Sequence, residues 1–255
     1  MTGAREGGER TVASPRMLAG VDGCRGGWVV VLWRGLAEGP VRAMRAASFA
    51  EVLDVAAEAV VVAVDMPIGL PERGSLGGRA CDVAARAGLG ERQSALFAVP
   101  SRAAVMGESY AEACRIARTT SDPPRAVSKQ CFNLFAKIRE IDRLMTPALQ
   151  ARVRECHPEV AFAAMAGGPL ALPKKVKSQP HAPGLALRAR LLSASGFPIG
   201  RLMAETERLA GSGDDDLIDA AACAWSAERI AAGRARSFPD DPPRDGRGLL
   251  MAIEA

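Results

Sequence analysis

Two aspartates each stand at the end of an apolar stretch that predicts a buried β-strand. Asp22 closes residues 17–22, and Asp65 closes residues 59–65, a nearly continuous apolar run typical of a strand covered on both faces. Strands often end in Asp because the chain turns there, so each acid alone has a plain structural explanation. A carboxylate beside an apolar strand is costly to desolvate unless it is paired or metal-bound, and open α/β sheets place their sites at strand ends. The two acids together therefore predict a site.

A third group of acids opens the last predicted helix, residues 214–233. In the stretch DDDLIDAAACAWSAERI, Asp216 lies three residues and Asp215 four residues before Asp219, so both are its neighbours on the helix surface. Acids in a first turn are favoured by the helix dipole, which also explains Asp214 and Asp215 as caps. Asp219 lies a full turn inside, just before three alanines that let a helix pack closely on a sheet. We therefore expect this helix to place Asp219 against the strand ends.

Carboxylates that converge in this way repel one another, and a divalent cation relieves the repulsion. Mg²⁺ and Mn²⁺ prefer carboxylate and water oxygens as ligands. Two such ions about 4 Å apart orient a nucleophilic water and stabilise the leaving oxygen of a phosphate ester. The predicted metal ligands are Asp22, Asp65, Asp215, Asp216 and Asp219. The chemistry predicted from them is metal-dependent hydrolysis of a phosphodiester.

Arginines on one predicted helix and at its exit are candidates for the substrate side. Arg79 and Arg86 lie at helical contact spacing from Asp82, and Arg92 follows the helix. One interpretation is an internal ladder of salt bridges. The other is a clamp for phosphate or carboxylate, since the guanidinium group binds both in a bidentate manner.

One histidine and a basic loop offer further candidates. His157 occupies a predicted strand-to-helix turn, where it is either a structural residue satisfied by the backbone or a group that deprotonates water or binds a phosphate. Lys174 and Lys175 belong to a Lys-, Pro- and Gly-rich loop over 172–184. Such a loop is either simply solvated or recruits a polyanion.

The elements that position these residues alternate between strands and helices, which predicts an α/β fold. The predicted strands are residues 17–22, 28–34, 41–47, 59–65, 149–155 and 249–253. The predicted helices are residues 48–58, 79–88, 108–119, 128–146, 159–166, 185–194 and 214–233. The first three strands follow one another through short turns and form an antiparallel meander, and SRAAVMG and SDPPRAVS are predicted loops.

Composition limits the possible classes of protein. The 255 residues are 48% hydrophobic, which predicts one globular domain over 17–255 behind a disordered leader over 1–16. No apolar run approaches the roughly 18 residues of a membrane span, so we expect no membrane association. Six cysteines without CxxC spacing predict reduced thiols and a cytoplasmic location. A net charge of +4 permits a phosphate-bearing partner without requiring one, and a dimer is compatible with the sequence.

A series of segments resembles one family. They are, in order, GVDGCRGGWV, AVDMPIGLP, RACDVAARAGLGERQSALFAVPSR, SKQCFNLFAKIREID, ECHPEVAF and DDDLIDAAACAWSAERI. In this order they are similar to the DUF429 family, whose members are regarded as predicted nucleases with a ribonuclease H-like fold. The D-x-x-D-A sequence at Asp216 and Asp219 also resembles the last acidic motif of Holliday-junction resolvases of the RuvC type.

The resemblance implies a ribonuclease H-like mixed sheet, flanked by helices, with catalytic acids at Asp22, Asp65, Glu155, Asp216 and Asp219. It also implies that Ser94, Arg102, Ser128 and Gln130 line the cleft. A helical insertion after the fourth strand, about residues 72–147, departs from ribonuclease H itself and is where we expect substrate choice to be decided. Nucleic acid is the implied partner.

Two other functions stay open on the sequence alone. The core topology and the Gly-rich turn after Asp22 also suit a phosphotransferase or ATPase of the actin and sugar-kinase type. A non-catalytic, small-molecule-binding descendant of the fold is the third possibility. Aromatic residues are only 4% of the chain, and the sequence alone reveals no stacking platform for single-stranded nucleic acid.

Overall fold

The computed structural model describes residues 16–255 except 36, 38, 178 and 206–212. The predicted leader over 1–16 therefore lies outside the described residues, apart from its last one. No helix within the described ranges is both long enough and apolar enough to cross a membrane.

The strands and helices follow one another along the chain with few long connections. The strands are β1 Leu18–Cys24, β2 Gly27–Trp33, β3 Val41–Ala46, β4 Val61–Val64, β5 Gly74–Ser75, β6 Ser121–Asp122, β7 Val153–Glu155, β8 Lys175–Val176, β9 Gln179–Pro180, β10 Ser237–Phe238 and β11 Ile253–Glu254. The helices are α1 Phe49–Val55, α2 Ala80–Arg86, α3 Arg102–Val105, α4 Tyr110–Thr119, α5 Lys129–Phe132, α6 Phe135–Leu144, α7 Pro147–Gln150, α8 Pro158–Ala166, α9 Ala182–Ala194, α10 Ile199–Glu205 and α11 Asp214–Ala231, with a 3-10 helix over Gly90–Ala95.

A five-stranded mixed sheet with the order β3-β2-β1-β4-β7 forms the centre of the molecule. The strands β1, β2 and β3 pair antiparallel, as the meander predicted, whereas β4 and β7 run parallel to β1. The short strands pair separately, as β5-β6, β8-β9 and β10-β11. The predicted α/β fold with a mixed sheet and flanking helices is confirmed, and its arrangement is consistent with a ribonuclease H-like one.

Side chains that alternate along the strands supply two hydrophobic clusters, one on each face of the sheet. Leu18 and Ala63 belong to the cluster covered by α8, α9, α10 and α11. Ala19 and Val64 belong to the cluster covered by α1, α3, α4 and α6. Both clusters are needed because the sheet would otherwise leave one apolar face in water.

The predicted insertion is present as the helices α2 to α6 between β4 and β7. It differs from the prediction in two details. The predicted loop SRAAVMG contains α3, which the Ser101 hydroxyl caps by accepting from the Ala104 amide. The predicted helix over 128–146 is divided into α5 and α6 at Asn133 and Leu134.

Two predicted strands are shorter than expected. The first half of the predicted strand over 149–155 is the helical turn α7, because Thr146 caps it and Pro147 suits its first turn. The predicted strand over 249–253 is reduced to β11, which pairs with β10 outside the central sheet. Helix α10 was not predicted.

Candidate functional site

The ends of β1 and β4 carry Asp22 and Asp65 side by side. The two strands are in register at Val21 and Val64, and the Asp65 amide donates to the Val21 carbonyl at 2.9 Å. Because side chains alternate, Asp22 leaves the sheet on the same face as Leu18, and Asp65 leaves it on that face too. This is the face that α11 covers.

Helix α11 brings Asp219 to the same place. The helix touches the backbone of β1 at Gly20, where an added Cβ atom would lie 2.1 Å from the Ala220 carbonyl oxygen and 2.1 Å from the Ala224 nitrogen. Only a residue without a side chain allows this approach. Asp219, next to Ala220, is consequently held beside the strand end that carries Asp22.

Asp22, Asp65 and Asp219 thus lie close enough for their charges to interact, with Asp22 and Asp219 buried and Asp65 half-buried. Burial and the neighbouring charges of Asp65 and Asp219 raise the pKa of Asp22 well above its ordinary value. Burial and Asp219 likewise raise the pKa of Asp65 to about 7. Asp219 is 2% exposed, and its Oδ1 atom is buried without a hydrogen-bond partner in the described structure. The cluster is therefore destabilised by its own charge and leaves one acceptor unsatisfied.

A lysine provides the positive charge in this cluster. The Lys174 ammonium contacts Oδ2 of Asp219. Burial alone would lower the pKa of Lys174, but the carboxylates around it, Asp219 foremost, raise it well above its ordinary value. Over the described part of the chain, no group of three His, Cys, Asp or Glu side chains is already arranged to hold a metal ion.

Asp215 and Asp216, two of the three acids in the first turn of α11, differ in their surroundings. Asp215 pairs with the Lys175 ammonium at 2.6 Å. Asp216 is half-buried and accepts from the Gly213 amide at 3.2 Å. Burial raises the pKa of Asp216, and the charges of Asp215 and Asp219 add to that effect. Of the two predicted assisting ligands, Asp215 forms an ion pair, whereas Asp216 forms none with the residues that the structure describes.

A cavity of about 580 Å³ opens beside the carboxylates. Asp22, Asp65 and Lys174 line one end of it, and Phe97 and Ile138 of the helical insertion line another part. This volume lies in the range of roughly 300–1,000 Å³ typical of small-molecule sites. The cavity therefore suits one nucleotide-sized group better than a double helix.

Comparison with known proteins assigns the family. The family model described as "Protein of unknown function (DUF429)" matches residues 20–244, which is most of the chain. The chain belongs to the DUF429 family. No curated protein and no solved structure matches it.

In this DUF429 chain, Glu155 does not join the three aspartates, contrary to the implied role. Its register partner is Val64, whose side chain packs on the opposite face from Asp65, so Glu155 leaves the sheet on that opposite side. Its oxygens accept from Arg79 at 2.6 and 2.8 Å and from the Ile68 amide at 2.7 Å. Glu155 lines the cavity as part of a buried ion pair.

Arg79, which directly precedes α2, and Arg86, which ends it, are held by the protein itself. Every N–H of Arg79 is engaged by Asp82, Glu155 and the carbonyls of residues 68 and 69. Arg86 donates to the carbonyls of residues 77 and 96. The predicted clamp is therefore replaced by the internal network that was the alternative interpretation, since these guanidinium groups hold the walls of the cavity together.

Arg102 and Arg92 also differ from the predicted cleft residues. Arg102 bridges Asp142 and Asp245 at 2.5 Å each, and this joins the insertion to the C-terminal segment. Arg92 lies 3.7 Å from the exposed carboxylate of Glu91 and lines neither of the two cavities found in the described structure. Sequence spacing could not reveal the partners of Arg102, which are 40 and 143 residues away.

Ser94 and Gln130, two of the residues expected in the cleft, line the cavity of this DUF429 chain, and so does His157. The Nε2 atom of His157 is 3.3 Å from the Ala95 carbonyl, which can only accept, so Nε2 carries the proton. Burial lowers the pKa of His157, and its Nδ1 atom has no partner within the described residues. Ser128 accepts from the Cys131 amide as the cap of α5 and borders a second cavity instead.

Proposed function

We propose that this protein hydrolyses phosphodiester bonds in nucleic acid with a divalent cation, Mg²⁺ or Mn²⁺, held by Asp22, Asp65 and Asp219. One observation carries the proposal: three carboxylates from two strands and a helix converge in a buried place, and an oxygen of Asp219 has no partner there in the described structure. Converging buried charges of one sign are costly unless a cation compensates them.

The donor atoms suit such an ion. Carboxylate oxygens are the ligands that Mg²⁺ and Mn²⁺ prefer, and Asp219 retains an unused one. Lys174 now contributes the positive charge through Oδ2 of Asp219, and we expect repulsion from a cation bound at the carboxylates to weaken this contact. Asp216 is the further acid that would share a second ion, because Asp215 is paired with Lys175. A bound ion would supply activation of a water molecule and stabilisation of the leaving oxygen.

The chain's own residues would bind substrate and take up the proton. Lys174, once released from Asp219, is positioned to bind a phosphate oxygen at the mouth of the cavity. Neutral His157 has a free lone pair on Nδ1 that can accept a proton from water. Both residues line the cavity that the carboxylates border, so the reacting groups share one space.

The phosphotransferase alternative finds less support around Asp22. Residues Cys24 and Gly27 pair across the β1–β2 hairpin, so the glycine-rich turn consists only of Arg25 and Gly26. A two-residue turn is among the commonest connections of a β-hairpin. We therefore interpret this turn as the connection between β1 and β2.

The buried, unpaired thiols fit a cytoplasmic protein. All six cysteines are free and buried. Reduced cysteines are the rule in the cytosol, whereas exported proteins usually carry disulfides. We propose the cytoplasm as the site of action on this basis.

Cleavage assays on aspartate variants test the function. Purified protein is incubated with single-stranded, hybrid and branched nucleic acid in Mg²⁺ or Mn²⁺, and each of Asp22→Asn, Asp65→Asn and Asp219→Asn is expected to lower the rate on the order of 100-fold or more. Asp54→Asn, at an exposed acid of α1, is the matched control and should cleave at the wild-type rate. Unchanged cleavage in the three variants, or a manganese-soaked crystal with no ion at these carboxylates, would refute the proposal.

A further inference from the structure

A second cavity adjoins the first and differs from it in charge. It has a volume of about 600 Å³ and shares five lining residues with the first, namely Ser94, Leu96, Phe97, Val99 and Gln130. Its lining includes Arg86 and Arg125 but no Asp or Glu, whereas the first cavity is lined by five acids together with Arg79, Lys174 and Lys175. The second cavity therefore favours an anionic group, and the first favours a cation beside the reacting group.

Arg125 is an exposed positive charge in the lining of this second cavity. Its side chain is exposed and makes no ion pair or side-chain hydrogen bond with the described residues, although its amide donates to the Ser121 hydroxyl. Arg86 is already engaged by backbone carbonyls and serves to fix the wall at residue 96. A guanidinium group with all its donors available is well suited to bind a phosphate.

Phe97 stands at the boundary of the two cavities. It is half-buried, packs on one side against the cluster beneath α1 and α6, and lines both cavities. No other ring and no cation among the described residues contacts it, in contrast to Phe132 and Phe135, which contact each other. An aromatic side chain with an open face is what single-stranded nucleic acids use as a stacking surface.

We propose that the second cavity binds the nucleotide next to the scissile phosphate of a single-stranded nucleic acid. Phe97 stacks on a base at the boundary, Arg125 binds the phosphate that follows, and Gln130 offers its amide to a base edge. This inference rests on the proposed function for the identity of the reacting group in the first cavity. It adds the substrate class, because cavities of about 580 and 600 Å³ admit small-molecule-sized groups such as single nucleotides rather than a base-paired duplex.

Binding measured without catalysis tests this inference separately from the proposed hydrolysis. Fluorescence anisotropy of labelled thymidine oligonucleotides of one, two and four nucleotides is recorded in EDTA, beside a longer thymidine–adenosine duplex that a hairpin loop keeps paired. The wild type is expected to bind two nucleotides about tenfold more tightly than one, with weaker binding of the duplex. Phe97→Leu and Arg125→Ala should each remove most of that gain, and Arg125→Ala should reduce the salt dependence by about one phosphate contact.

Arg190→Ala removes an equal charge from the exposed face of α9 and lines neither cavity, so it should leave these affinities unchanged. Equal binding of single and double strands, or wild-type affinities in both cavity variants, would overturn the inference. Length-dependent binding that these variants abolish, in a protein that cleaves nothing with Mg²⁺ or Mn²⁺, would support the second binding site and refute the proposed hydrolysis.

Discussion

The Lys174 ammonium rests on the Asp219 carboxylate, at the point where Asp22 and Asp65 also direct their charge. A loop residue thus compensates acids that belong to the sheet and to α11. On the proposed function, the site has two electrostatic states, in which the positive charge comes either from Lys174 or from the bound cation.

Replacing Lys174 with Met separates these two states. In EDTA the variant is expected to lose about 2 kcal/mol of stability, because a buried carboxylate is left without its partner. Mn²⁺ should bind more tightly than to the wild type because the ammonium no longer competes, and the melting temperature should recover when Mn²⁺ is added. Calorimetric titration and thermal melts measure both effects. Lys177→Met in the same hairpin is the control, and equal behaviour of the two variants would contradict this account.

The stability of the metal-free protein should fall as the pH rises from about 4 to about 7. The pKa of Asp65 is raised from 3.8 to about 7 in the folded state, so the folded chain binds more protons than the unfolded chain across this interval. Deprotonation then restores repulsion with Asp22 and Asp219, which Lys174 only partly offsets. The Asp65→Asn variant should be more stable than the wild type at pH 8, and its free energy of unfolding should depend less on pH. Urea unfolding at several pH values measures this, and a wild-type profile that rises over the interval would disprove it.

The buried pair of Arg79 and Glu155 is expected to stabilise the fold and to be separate from the chemistry. Arg79→Met should cost about 3–5 kcal/mol, because it leaves Asp82 and Glu155 buried without a cation. The loss should be larger at pH 8 than at pH 6, where Glu155, with its pKa of about 7, takes up a proton. The double variant Arg79→Met/Glu155→Leu should recover part of the stability. A double-mutant cycle with urea unfolding measures the coupling between the two residues. Additive losses of stability in the two single variants would argue against it.

Gly20→Ala tests whether close packing of α11 positions Asp219. The added methyl group overlaps the backbone of Ala220 and Ala224, which should cost about 1–3 kcal/mol and weaken Mn²⁺ binding by displacing the helix. Gly200→Ala in α10 meets no atom within 4 Å and should instead be neutral or slightly stabilising. An unchanged Mn²⁺ affinity in a folded Gly20→Ala protein would show that Asp219 does not depend on this contact.

The convergence of Asp22, Asp65 and Asp219 was predictable because it depends on local patterns. Two apolar runs that end in Asp, and an alanine-rich helix face, carry that information within short stretches of sequence. The mixed sheet was predictable for the same reason, since β1, β2 and β4 are strongly apolar and only short turns join β1, β2 and β3.

Glu155 shows where this approach fails. It also ends a strand, but its side of the sheet depends on the register of β7 with β4, which no local pattern specifies. The prediction for Arg102 fails for a similar reason, since its ion-pair partners belong to distant segments of the chain. The sequence predicted that Lys174 belongs to a basic loop, but it did not predict the contact with Asp219, which is 45 residues away. It also did not indicate the β8-β9 hairpin that this loop forms.

The acids and the cavity walls come from different stretches of the chain. Asp22, Asp65 and Asp219 all lie outside residues 72–147, whereas Phe97, Arg125 and Gln130 all lie within them. On the proposed function, reactivity and selectivity are encoded in separable segments of the chain. We therefore expect relatives that keep the sheet and α11, but have altered inserted helices, to act on different molecules through the same acids.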